Sequence, residues 1–213
     1  MKTIYFVRHG STEQLEKRVW QDPGVPLSKK GQEQARFVAQ RFASIPINVI
    51  ISSEMQRALD TAHAIAEVTR MEVAPSPLFH ELLRPSEIRG KSKDDPKSSA
   101  LFEELDRRFR QDSTEKYSDE ESFFDLRSRA AEAVQFLENH QAKNICVVTH
   151  GTFLKTMMAV MMGGSEVPHQ AAGMIYDFFF PSNTGITKCT FGETGWWLQT
   201  WNDDAHMGEI KDY

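Results

Sequence analysis

The chain has 213 residues, 40% of them hydrophobic and 26% charged, with a formal net charge of −5. That length and composition suit one globular domain over residues 1–213 with a substantial core. The acidic balance gives no basic footprint for nucleic acid, and the apolar stretches are strand-length or broken by polar residues, so no membrane span is expected. The chain enters a strand at once without a signal-peptide plan. Cys146 and Cys189 fall in strand-like runs and read as reduced core residues. A cytoplasmic location is the default expectation.

The first element is Thr3-Ile4-Tyr5-Phe6-Val7, a β-branched and aromatic run that ends in Arg8-His9-Gly10. Such a run reads as a strand of a parallel sheet, buried on both faces. Ligands of these sheets sit beyond the carboxyl ends of the strands, so Arg8 and His9 arrive where chemistry is expected. Residues 11 to 27 read as an irregular loop with a turn at Asp22-Pro23-Gly24. In it Thr12 offers a hydroxyl either to a ligand or to the loop as a cap. Ser28 is a suitable N-cap for a helix to about Ser44, and Pro46 breaks the chain before the next strand, Asn48 to Ser53.

A helix from about Met55 to Thr69 follows, with Leu59, Ala62, Ile65 and Ala66 on one stripe. Arg57 stands in its first turn, where helix electrostatics favour an acid; a bound anion explains the placement better than a structural cation. His63 on this helix reads as packing or surface. A short strand at Glu72 to Ala74 precedes the segment Phe79 to Lys91, which holds the carboxylates Glu81 and Glu87 and the imidazole of His80, read as a surface neighbour. Residues 84 to 117 are strongly charged and read as a small helical cap over the site. Its Arg84, Arg89, Lys91 and Lys93 face two readings: recognition of a second anionic group on a ligand, or a solvated face with ion pairs to Asp94, Asp95 and Glu103. Ser118 with Glu121 reads as a capping box opening a long helix to about Asn139.

The strand Asn144 to Thr149 then repeats the first motif, ending in His150-Gly151. The helix from Phe153 to Met162 is rich in methionine and reads as core or as the interface of a homo-oligomer, not as a metal site. The tail reads as strands at Met174–Phe180, Gly185–Phe191 and Trp196–Trp201, with antiparallel edges on a mostly parallel sheet. The fold expected is therefore α/β, a three-layer α/β/α sandwich.

If the strands ending in His9, Ser53 and His150 lie side by side, two imidazoles and two guanidiniums converge at one rim. That is a site for a dianion: the arginine fork matches phosphate oxygens, and helix N-termini add backbone N–H groups. None of these motifs contains the acids that a metal-bridged phosphate site needs, so neither metal nor cofactor is expected. The surrounding positive charge disfavours protonation of an imidazole, which leaves His9 neutral and nucleophilic.

Arg8-His9-Gly10, Arg57 and His150-Gly151 resemble the signature of the histidine phosphatase superfamily, which includes the cofactor-dependent phosphoglycerate mutases. Val25-Pro26-Leu27-Ser28 through Gln34-Ala35, and Ser52-Ser53 through Thr61-Ala62, resemble two further segments of it, and the likeness runs in order to Trp201-Asn202-Asp203 and His206. The resemblance implies that His9 attacks phosphorus and that Arg8, Arg57, His150 and Gly151, with Thr12, hold the phosphoryl group. It implies a glutamate proton donor, best matched by Glu81, with Glu87 as the rival because the family's usual segment ending is absent. Where many members carry a phosphate-contacting asparagine, this chain has Leu15. The expected activity is metal-independent hydrolysis of a small phosphate monoester. Phosphoglycerate mutase-type transfer, a protein phosphatase and a non-catalytic phosphate-binding member are the alternatives.

Overall fold

The computed structural model describes residues 1–111 and 114–208. Six strands form one sheet: β1 (Lys2–Arg8), β2 (Val49–Ser52), β3 (Val73–Pro75), β4 (Asn144–Thr149), β5 (Ile186–Gly192) and β6 (Gly195–Asp203), in the order β3-β2-β4-β1-β5-β6. The first four are mutually parallel, and β5 and β6 run antiparallel at one edge. Strand β4 thus lies between β2 and β1, inserted between two strands that both precede it in the chain.

Side-chain alternation divides the core between the two faces of the sheet. Ile4 and Phe6 of β1, with Ile145 and Val147 of β4, join one apolar cluster with α5 (Phe123–Asn139), α6 (Gly151–Gly163) and α7 (His169–Phe178). Val7, Cys146 and Val148 point the other way, onto α2 (Lys29–Phe42) and α3 (Gln56–Thr69). Both cysteines are buried free thiols. Burial on two faces is why these strands carry continuous apolar runs, and the sandwich has the three expected layers. Among the described residues, no helix is long and apolar enough to cross a membrane.

Four local expectations change. Met174–Phe180 is not a strand: α7 occupies His169–Phe178, because His169, Ala172 and Ile175 recur at helical spacing and are all buried. Tertiary packing overrides the β-preference of its aromatic run. The capping box is Ser122 with Asp125, not Ser118 with Glu121. Glu121 instead pairs with Arg129 at 2.7 Å and accepts the Leu83 N–H. The loop after β1 contains one helical turn, α1 (Glu13–Glu16), and the cap helix starts earlier than its apolar residues suggest, as α4 (Pro96–Arg110), with Asp95 as N-cap. Residues 112 and 113 of the expected cap, and 209–213 of the chain, lie outside the described residues.

Candidate active site

Register aligns the three strand ends. Val7 and Ser52 both pair with Val148, and Arg8 pairs with Thr149. One residue further, the His9 N–H donates to the Thr149 carbonyl (3.0 Å) and the Ser53 N–H to the Val148 carbonyl (3.0 Å). His9 and His150 are thereby brought to a ring separation of 5.0 Å.

The turn after His9 is held from several sides. The Gly10 N–H donates to Thr61 Oγ1 (3.1 Å), the Ser11 N–H to Gln34 Oε1 (2.8 Å), and Asn183 Nδ2 to the His9 carbonyl (2.8 Å). Helix α2 presses onto this turn so closely that a Cβ on Gly31 would lie 1.9 Å from the Ser11 carbonyl oxygen. Only glycine fits there, which gives that motif position a steric cause.

His9 is 2% exposed. Its Nδ1 lies 2.7 Å from the Gly10 carbonyl oxygen, which can only accept, so Nδ1 carries the proton. Nε2 accepts the Arg57 Nε–H at 3.2 Å and therefore bears the lone pair. Burial first, then the Arg57 and Arg8 charges, hold the His9 pKa well below its ordinary 6.5. Arg57, also 2% exposed, donates to the Asp22 carbonyl (3.0 Å). Burial lowers its pKa to about 10, opposed by the nearby Glu81 charge. Arg8 donates to the Pro181 carbonyl (2.7 Å).

His150 is fully buried, with Nε2 2.8 Å from Ser53 Oγ. That hydroxyl already accepts the Met55 N–H (3.2 Å). Its own proton, also fully buried, has the His150 Nε2 lone pair as its partner among the described residues. Satisfying the hydroxyl places the His150 proton on Nδ1, which has no acceptor among the described residues. Burial, then Arg57 and His9, lower the His150 pKa well below 6.5. Both imidazoles are thus neutral at pH 7: one presents a lone pair and the other an N–H.

His150 is also the N-cap of α6. The Thr152 and Phe153 N–H groups donate to the Glu81 carboxylate (3.1 and 2.9 Å), and the Leu82 N–H adds a third bond at 2.9 Å. Oε1 takes two of these donors and Oε2 one, so Oε2 is the oxygen left with capacity to carry a proton. The Gly151 N–H belongs to the same first turn, which lacks intrahelical acceptors, so it is available to an anion. A cavity of about 180 Å³ is lined by Arg8, Arg57, Glu81 and Thr152 among others. Trp20, Arg84, Arg89 and Lys93 also line it.

The two glutamates separate clearly. Glu87 is exposed and accepts from the Ser118 hydroxyl (2.7 Å), away from the cavity lining. Thr12 is fully buried and committed to the loop: its hydroxyl donates to Gln21 Oε1 (2.9 Å) and caps the Leu15 N–H (3.1 Å). The phosphate contact expected of Thr12 is therefore replaced by the capping role. Leu15 lines the cavity as an apolar wall. His80 is half-buried against Glu54 at 3.5 Å, and His63 is exposed. Among the described residues no group of three His, Cys, Asp or Glu side chains is placed to hold a metal ion.

Thr61, Asn183 and Trp20 were not singled out from the sequence. Thr61 was findable, four residues after Arg57 on the same helix face. Asn183 comes from a distant loop that carries no local signal.

Comparison with known proteins identifies the family and the fold. A Salmonella arizonae protein named "Probable phosphoglycerate mutase GpmB" is 29% identical over 216 residues, covering 97% of this chain and 95% of its own. The crystal structure of a phosphoserine phosphatase from Entamoeba histolytica aligns with a TM-score of 0.72 at 25% identity, covering 97% of this chain and all of that one. That of an alpha-ribazole phosphatase from Shigella flexneri aligns at 0.79 with 18% identity, covering 94% and 96%, and shares the fold. The profile of the histidine phosphatase superfamily (branch 1) matches residues 4–204. Its span includes both buried histidines, both arginines and Glu81, and the chain belongs to that superfamily.

Proposed function

We propose that this protein hydrolyses a small phosphate monoester through a phosphohistidine at His9, without a metal. The observation that carries the reading is the state of His9: buried, neutral, its Nδ1–H tied to the Gly10 carbonyl and its Nε2 lone pair directed at Arg57. A phosphoryl group arriving at Nε2 displaces that resting contact and takes the guanidinium for its own oxygens, joined by Arg8, the His150 Nδ1–H and the Gly151 N–H. Nε2 then attacks phosphorus as the bond to the leaving oxygen breaks, and Glu81 Oε2 gives that oxygen its proton. In the second half, water loses a proton to Glu81 and attacks phosphorus, releasing phosphate and free His9. Uncatalysed hydrolysis of such esters is extremely slow, so preorganised charge in a confined site must supply much of the acceleration.

A cavity of about 180 Å³ lined in part by Arg84, Arg89 and Lys93 supports a small substrate over a phosphoprotein. The full-length likeness to proteins named as phosphoglycerate mutases keeps transfer between hydroxyls as the second reading. Incubation with a 32P-labelled monoester, quenched in base, should trap label on His9, and His9→Ala should abolish it. Label on His150 instead would reverse the roles. Interconversion of phosphoglycerates faster than release of phosphate would favour the transferase.

A further inference from the structure

Arg84 and Lys93 belong to the cavity wall, yet neither makes a side-chain hydrogen bond or ion pair with any described residue. Both rest on aromatic rings. The Arg84 guanidinium lies 4.9 Å from the Phe102 ring centroid and 5.7 Å from that of Trp20, and Lys93 Nζ is 4.7 Å from Trp20. The two rings are themselves in contact, tilted by 36° with centroids 4.5 Å apart. A ring face attracts a cation but satisfies none of its in-plane N–H groups. Lys93 is destabilised as a cation by burial and then by Arg18, Arg84 and Arg8, all of the same sign.

The neighbouring charges show what the alternative looks like. Arg89, on the same wall, has its carboxylate partner in Asp119. Asp94 is taken by Arg18 (3.1 Å), and Asp95 is spent on capping α4. Arg84 and Lys93 thus form none of the ion pairs with Asp94, Asp95 or Glu103 that the solvated-face reading expects. Backbone bonds fix this wall in place: Trp20 exchanges hydrogen bonds with Lys91 (2.9 Å) and Gly90 (2.8 Å), and the Lys93 N–H donates to the Arg18 carbonyl (2.8 Å).

We infer that Arg84 and Lys93 form a second anion site, so that the substrate is a phosphate monoester whose leaving group carries another anionic group, a carboxylate or a second phosphate. The inference rests on the proposed hydrolase reading and sharpens its substrate class. The anion would accept the in-plane N–H groups of Arg84 and the ammonium of Lys93 while the scissile phosphoryl sits between Arg8 and Arg57. Glu81 and Asp106 act on Arg84 only through space, so an uncharged leaving group would leave the in-plane N–H groups of Arg84 and the Lys93 ammonium without a hydrogen-bonded acceptor among the described residues.

Matched substrates test this. Phosphoglycolate and ethyl phosphate differ by a carboxylate in place of a methyl group, and a propane-1,3-diol bisphosphate against its monophosphate asks the same of a second phosphate. Wild-type kcat/KM should favour one charged member by ten-fold or more, and Arg84→Gln with Lys93→Gln should collapse that ratio towards one. The favoured pair identifies the anion. Binding of the same compounds to His9→Ala protein by calorimetry reads the site without turnover. A binding preference in His9→Ala, with no hydrolysis of any of the four compounds by the wild type, would leave the anion site standing and sink the hydrolase. A ratio near one in the wild type, or one unchanged in the double variant, would overturn the anion site.

Discussion

Removing the Ser53 hydroxyl isolates the tautomer of His150. In Ser53→Ala the buried Nε2 lone pair loses its donor, and leaving such a group unsatisfied costs about 1–3 kcal/mol. Without that donor nothing holds the proton on Nδ1, and the fraction of His150 that carries it on Nε2 lacks the N–H proposed to meet the phosphoryl oxygens. If the whole penalty falls on the transition state, kcat drops about 5- to 150-fold, at about 1.4 kcal/mol per decade. The Met55 N–H also loses its acceptor, so some stability goes with it. Turnover alone is therefore insufficient as a readout. Nitrogen-15 shifts of labelled histidine should show Nδ1 protonated in the wild type and the Nε2–H form gaining population in Ser53→Ala, with Ser53→Thr restoring both the spectrum and kcat. An unchanged spectrum with wild-type kcat in Ser53→Ala would refute the hydrogen-bond accounting at His150.

Three further outcomes follow from the geometry. Glu81→Gln should lose about two or more orders of magnitude on alkyl phosphates, whose alkoxide needs a proton, but far less on 4-nitrophenyl phosphate; the selective pattern in Glu87→Gln instead would show the wrong carboxylate was assigned. His9 and His150 both titrate well below 6.5 when folded, so below about pH 6.5 the unfolded chain binds protons that the folded one refuses. Stability should fall with pH from there by about 1.4 kcal/mol per pH unit for each histidine; chemical denaturation between pH 7 and 5 measures it, and substituting both residues should flatten that slope. Gly31→Ala sets a Cβ against backbone 1.9 Å away and should cost about 3 kcal/mol or more, whereas Gly24→Ala, with nothing within 4 Å, should be near neutral. Equal melting temperatures for the two would mean that the α2 contact relaxes.

The parts of the fold legible in the sequence are those where one physical requirement acts alone. β1 and β4 are buried on both faces, so their apolar runs could hardly mean anything else, and the candidate histidines follow directly after their last residues. Arg57 stood out because a cation in a first helical turn needs a reason. The misread elements are those where two tendencies compete. In α7 an aromatic run favours strand while its spacing serves helix packing. At Ser118 a capping box is written in the sequence, but Glu121 is drawn off by Arg129. Choosing Glu81 over Glu87 required knowing which of them meets the N-terminus of α6, a contact between residues 71 positions apart.

The spacing of the two histidines is set by the backbone rather than by side-chain packing. Their rings are 5.0 Å apart, close to the roughly 4.8 Å between adjacent strands, and each follows directly from a strand in register with the other. The sheet therefore acts as a ruler whose graduation is the peptide hydrogen bond. Substitutions that loosen the helical layers should lower the melting temperature without altering the distance between the His9 and His150 rings. Drift in the outer layers and constancy of the chemistry are mechanically uncoupled, which leaves the cap and the layers free to vary around a fixed reaction centre.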